Sequence, residues 1–145
     1  MIKTALFFKD VQENSNIHRL IIDIYNTISP LPRGYSVKYN DAWCMTFTSF
    51  IAKICKIDKF PYECSCYKAL EKAKLLNLKV DKNYKKGCLI FFKNNKSKIV
   101  NHVGFIIEVN NKQIKTIEGN SSNKVKINAY NLNDNRLDNC VHLNV

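Results

Sequence analysis

The chain has 145 residues, 46% hydrophobic and 11% aromatic, which is enough for one packed core and is read as a single domain over residues 1–145. Its 23 Lys and Arg against 12 Asp and Glu give a formal net charge of +11, a balance that serves solubility or an anionic partner. The lysines are dispersed, no arginine-rich segment occurs and no nucleic-acid module leaves its signature, so nucleic acid is disfavoured as that partner.

No apolar run reaches the length of a membrane span. The apolar segment within residues 1–10 is too short for a secretory signal and has no small-residue cleavage site. Synthesis in a reducing cytoplasm is therefore expected, with Cys44, Cys55, Cys64, Cys66, Cys88 and Cys140 as thiols rather than a disulfide framework.

Along the chain, Asn14-Ser15-Asn16 is cap material, and Ile17, Leu20, Ile21, Ile24, Tyr25 and Ile28 follow at helical spacing. This helix ends by Pro30. Pro30-Leu31-Pro32-Arg33-Gly34 is a rigid turn, and residues 35–40 form an extended lead. Asp41 is the expected cap of the next helix, with Ala42, Trp43 and Cys44 as its first residues and Trp43, Phe47, Phe50, Ile51 and Ile54 in one buried stripe. Pro61 marks a loop. A third helix is expected from near Ser65, with Cys66, Ala69, Leu70, Ala73 and Leu76 inward, which makes Cys66 a core residue. From Gly87 onward the pattern predicts strands at 88–92, 100–109, 113–118, 124–130 and 140–145, joined by Asn-rich turns. Helices followed by a run of strands define an α+β fold, N-terminal helices packed on an antiparallel β-sheet.

Four residues in this layout have the chemistry of acyl transfer. Cys44 falls in the first turn of a helix, where unpaired N–H groups favour a thiolate. His102 opens a strong strand, and Gly104 leaves space beside it. A three-residue turn at 110–112 would set His102 opposite Asn120 and diagonal to Glu118, on one face; a two-residue turn would set Gly119 opposite His102 instead. A thiol, an imidazole and an orienting carboxylate or amide are the set a thioester mechanism needs. Singly, each residue also has an ordinary structural reading, Cys44 as a small buried hydrophobe and Glu118 as a strand-end charge. His18 and His142 lack comparable neighbours and are read as structural or exposed. Cys64-Ser65-Cys66 has no second ligand pair for zinc, and no acidic cluster upstream of Cys44 suits calcium, so no metal and no cofactor are expected.

Asp41-Ala42-Trp43-Cys44 with Thr46-Phe47, the strand Gly87-Cys88-Leu89-Ile90-Phe91-Phe92, and His102-Val103-Gly104 with Ile117-Glu118-Gly119-Asn120 resemble the blocks of the CHAP domain. This is the cysteine, histidine-dependent amidohydrolase/peptidase of bacteriophage endolysins and Gram-positive cell-wall hydrolases. Supporting similarity at Ile24-Tyr25-Asn26, Pro32-Arg33-Gly34-Tyr35 and Glu63-Cys64-Ser65-Cys66 extends it over nearly the whole chain.

The resemblance implies a papain-like fold, with Cys44 as nucleophile, His102 as base, Glu118 as orienting carboxylate and Asn120 as accessory polar group. It implies cleavage of a peptidoglycan amide bond, by an N-acetylmuramoyl-L-alanine amidase or an endopeptidase. Peptidoglycan of a Gram-positive-type wall is the implied partner, and dispersed positive charge also suits anionic wall polymers. Such a protein would act on the wall after release by a route other than a signal peptide, without a separate wall-binding module. Cys88 departs from the pattern by standing where the family usually has Asp. The competing readings are a catalytically inert wall- or partner-binding domain of the same fold and a basic nucleic-acid-binding module.

Overall fold

The computed structural model describes residues 1–144 and contains four α-helices and a six-stranded antiparallel sheet. The helices are α1 (Ile2–Phe7), α2 (Asn16–Tyr25), α3 (Cys44–Ile54) and α4 (Cys66–Leu75). The strands are β1 (Val80–Asp81), β2 (Leu89–Lys93), β3 (Val100–Val109), β4 (Gln113–Ser121), β5 (Lys124–Asn131) and β6 (Leu137–Val141). Strand order is β1-β6-β2-β3-β4-β5, and every pairing is antiparallel. The α+β expectation holds. Among the described residues, no helix is long and apolar enough to cross a membrane.

Helix starts follow local chemistry. The Ser15 hydroxyl oxygen accepts from the His18 N–H at 3.1 Å, capping α2, and Ser65 does the same for the Lys68 N–H at 3.3 Å, capping α4. α3 starts later than expected and without a side-chain cap. Asp41 is engaged elsewhere: its Oδ2 accepts from the Lys38 N–H at 2.9 Å and from the Tyr35 hydroxyl at 2.7 Å. The carboxylate closes the turn before the helix, and Cys44 becomes the first helical residue.

α3 is the buried spine of the fold. Trp43, Met45, Phe47 and Ile51 are fully buried and Phe50 nearly so, each large apolar side chain contributing about 1.5–3 kcal/mol on burial. Ile54, placed in the same stripe from sequence, is 38% exposed because it ends the helix. On the sheet, Gly119 lets α3 approach closely, since a Cβ there would lie 2.5 Å from that of Phe47. A second small cluster of Cys88, Ile90, Phe92, Ile106, Ile114, Leu137 and Cys140 is separate from this main core.

Short elements escape the periodicity argument. α1 and the two-residue β1 are too brief to show a repeat. β6 begins at Leu137 and ends at Val141, three residues earlier at its start than expected from 140–145; Val145 lies outside the described residues. His18 is fully buried against Trp43, with ring centroids 4.5 Å apart, and accepts the Asn14 N–H at Nδ1. His142 does not lack neighbours. Its Nε2 is 2.7 Å from Asp81 Oδ1, and two cysteines flank its ring, because β1 brings Asp81 beside the end of β6.

Candidate active site

The N-terminus of α3 fixes Cys44. The first intrahelical bond is donated by the Phe47 N–H to the Trp43 carbonyl at 2.9 Å, so the N–H groups of Cys44, Met45 and Thr46 have no partner within the helix. Cys44 is 6% exposed, and its sulfur lies 3.6 Å from Cys66 Sγ and 4.0 Å from the Asn101 carbonyl. A thiol donating from Cys66 holds the Cys44 thiol well below its ordinary range against the opposing effect of burial, helped by the nearby His102 and by the Met45 N–H. Cys66 moves the other way, its thiol stabilised by the bond it donates.

The sequence pattern marks Cys66 only as core. A network around buried Glu63 brings it to Cys44. Glu63, 3% exposed, accepts from Arg33 Nη2 at 2.8 Å and Nε at 3.0 Å, and from the Cys64 N–H at 2.8 Å. Ser49 of α3 donates to the Glu63 carbonyl at 2.8 Å and accepts the Glu63 N–H at 3.1 Å. The segment entering α4 is thereby tied to α3 and Arg33, which sets the N-termini of the two helices against each other. The useful sequence signal is the cap Ser65 immediately before Cys66.

His102 and Glu118 meet across β3 and β4. The turn end of this hairpin pairs Val109 with Ile114, one residue away from a Val109–Gln113 pairing, and a bulge between Ile106 and Glu108 then restores the shift, so Phe105 pairs with Ile117. Continuing that register puts Gly104 opposite Glu118; a Cβ at Gly104 would lie 2.6 Å from Glu118 Cγ. His102 therefore reaches Glu118 diagonally, with Nε2 to Oε2 at 2.6 Å.

The Glu118 side chain is 1% exposed, and its oxygens are filled by donors. Oε1 accepts from the Thr116 hydroxyl at 2.6 Å and the Tyr130 hydroxyl at 2.8 Å; Oε2 accepts from His102 and from Asn128 Nδ2 at 3.0 Å. Burial pushes this carboxyl up, but the His102 bond and charge and the two hydroxyls outweigh it and hold the group below its ordinary value. His102 is likewise opposed by burial, and the bonds and charges of Cys44 and Glu118 push it up to about 10. These opposite shifts favour a thiolate–imidazolium pair, with the imidazole held by the carboxylate.

Thr116, Asn128 and Tyr130 have no motif to announce them, although Thr116 stands two residues before Glu118 and so on its face. Asn120 has φ +55°, in the left-handed region that Asn tolerates. Among the described residues its side chain makes no hydrogen bond to His102. A cleft of ≈ 500 Å³ opens beside His102 and is bordered by Phe92, Lys93, Lys96, Asn101, Tyr130 and Arg136.

Two solved structures share this fold. An N-acetylmuramoyl-L-alanine amidase from Staphylococcus aureus superposes with a TM-score of 0.55 at 16% identity, over 93% of this chain and 34% of that one. Ly7917 superposes with a TM-score of 0.54 at 10% identity, over 89% of this chain and 63% of its own. The chain thus spans about a third of the first and under two thirds of the second. No curated protein sequence matches. The CHAP domain family model matches residues 34–120, well over half the chain and the stretch that contains Cys44, His102, Glu118 and Asn120, so this chain belongs to the CHAP domain family.

Proposed function

We propose that the protein hydrolyses an amide bond of peptidoglycan through a thioester on Cys44, at the N-acetylmuramoyl-L-alanine linkage or within the peptide. The observation that carries this reading is the 2.6 Å bond between His102 and the buried Glu118 carboxylate, with Cys44 as the first residue of α3 in the same family blocks. Family membership supplies the substrate class as the reading's premise.

In this scheme the Cys44 thiolate attacks the amide carbonyl carbon, and the unpaired N–H groups at the start of α3 face the charge that develops on oxygen. His102 gives its proton to the leaving nitrogen as the C–N bond breaks, leaving acyl-Cys44 and a neutral imidazole. The imidazole then takes a proton from water as the water oxygen attacks the thioester. The carboxylate product leaves, and the thiolate–imidazolium pair is restored. Glu118 holds the ring orientation and favours its charged form, and Asn120 is the accessory polar group at the site's margin. Lys93, Lys96 and Arg136 beside the cleft suit the free carboxylates of stem peptides.

Mass spectrometry of fragments released from purified peptidoglycan tests the reading and names the bond, because the new termini differ between the two linkages. Cleavage elsewhere than at an amide would overturn it.

A further inference from the structure

The edge of the sheet away from β4 and β5 holds a second group of sulfur and nitrogen donors that this reaction does not use. Cys88, Cys140 and His142 each place a donor atom within 4.8 Å of the others. The register explains why. Leu89 pairs with Val141 and Ile90 with Cys140, so continuing the ladder sets Cys88 opposite His142, with Cys140 two residues away on the same face. Cys88 and Cys140 are buried, whereas the His142 side chain is 15% exposed and gives the cluster a path to solvent.

A carboxylate stands behind the imidazole. His142 Nε2 is 2.7 Å from Asp81 Oδ1, and the other Asp81 oxygen is 3.1 Å from Lys79 Nζ. An ionised carboxylate only accepts, so Nε2 carries the hydrogen and the neutral ring keeps its lone pair on Nδ1. Nδ1 is 3.4 Å from Cys88 Sγ, while Cys140 Sγ lies 3.6 Å from Nε2.

We propose that Cys88, Cys140 and His142 form a binding site for a thiophilic divalent cation, Zn²⁺ by preference, with Asp81 orienting the imidazole from outside the ligand set. Bonds of about 2.3 Å to sulfur and about 2.0 Å to nitrogen put sulfur and nitrogen about 3.5 Å apart around tetrahedral zinc, and two sulfurs about 3.8 Å apart. The Cys88–His142 separation of 3.4 Å already meets this, and with all three donor atoms within 4.8 Å of one another a small side-chain adjustment brings Cys140 into the set. A carboxylate fixing the tautomer of a ligating histidine is the usual outer support of such sites. Protons still on the thiols leave when the ion binds. Three protein ligands leave the fourth position to solvent or to the Asn83 carbonyl, 3.5 Å from Cys140 Sγ.

The test uses the full chain carrying Cys44→Ala, kept reduced with a non-chelating phosphine, so that Cys44 and Cys66 cannot act as a rival sulfur pair. Titration with Zn²⁺ alone, followed by calorimetry and thermal melting, is expected to show one equivalent bound and a raised Tm. Co²⁺ in its place is expected to give thiolate charge-transfer and tetrahedral d–d absorption. Adding Cys88→Ser or Cys140→Ser should abolish both signals, and adding Cys64→Ser should leave them. Asp81→Asn keeps all three ligands and so carries the comparison even if a cysteine variant misfolds; it should weaken affinity about 10–100-fold. Stoichiometric binding absent from the Cys44→Ala chain, the cobalt bands surviving in a folded Cys88→Ser or Cys140→Ser chain, or unchanged affinity in Asp81→Asn would each overturn the proposal.

Discussion

Every hydrogen bond to the buried Glu118 carboxylate comes from a side chain on β3, β4 or β5, and only His102 among those donors brings a charge. Its pKa, raised from 6.5 to about 10, keeps the ring protonated through neutral pH and releases the proton as pH rises through about 10. Cys44, shifted the other way, loses its proton well below the ordinary 9.0. Activity that needs the ion pair is therefore bounded below by Cys44 and above by His102. Glu118→Gln removes a charge and a bond that raise His102, so the upper limb should move to lower pH and turnover should fall on the order of 10²-fold. Asn120→Ala should lower activity through misplacement while leaving that limb nearly unmoved. The pH dependence of hydrolysis of a soluble peptidoglycan fragment by both variants, with folding checked by melting, decides between them. An unchanged profile in Glu118→Gln together with lost activity in Asn120→Ala would give the orienting role to the amide. That His102 and Glu118 share a sheet face is legible in the sequence, because alternation along two neighbouring strands sets them diagonal to each other. The placement of Cys66 and Tyr130 is not, since their nearness to Cys44 and Glu118 arises only when separate elements pack.

Two glycines let the elements that carry the site come together. Gly119 seats β4 against α3, where an added Cβ would meet Phe47 Cβ at 2.5 Å and Cγ at 2.8 Å. Gly104 leaves room for Glu118, where an added Cβ would meet Glu118 Cγ at 2.6 Å and the Ile117 carbonyl at 3.0 Å. Gly119→Ala and Gly104→Ala should each cost about 1–3 kcal/mol of stability by overpacking. Each should also reduce activity in the fraction that remains folded, by moving the Cys44 helix in one case and the carboxylate in the other. Denaturant melts read beside specific activity check this, and unchanged activity in folded Gly104→Ala would show that Glu118 does not need its present position. The long helices and strands are readable from apolar periodicity. The bulge between Ile106 and Glu108 is not, because Phe105, Ile106 and Ile107 are consecutive apolar residues and such a run fits either face. The sequence reading starts α3 too early because Asp41 has two local uses for one carboxylate, and residue type alone does not say which wins.

At the scale of the whole molecule the net charge of +11 is a property of the surface, with Lys93, Lys96 and Arg136 gathered beside the cleft. If this charge concentrates the protein on an anionic wall, wall affinity should fall steeply with added salt while cleavage of a small soluble fragment changes much less, because screening acts first on exposed charges at long range. Sedimentation with purified walls at graded ionic strength, run beside the soluble assay, reads both; equal salt sensitivity would assign the charge another role. Cleavage of a peptidoglycan amide bond by Cys44 is tested most directly by counting the new amino groups and the new reducing ends released from purified peptidoglycan by the wild-type chain and by Cys44→Ala. Amino groups without reducing ends are predicted from the wild type and neither from the variant, whereas reducing ends from the wild type, or amino groups released equally by folded Cys44→Ala, would contradict that chemistry.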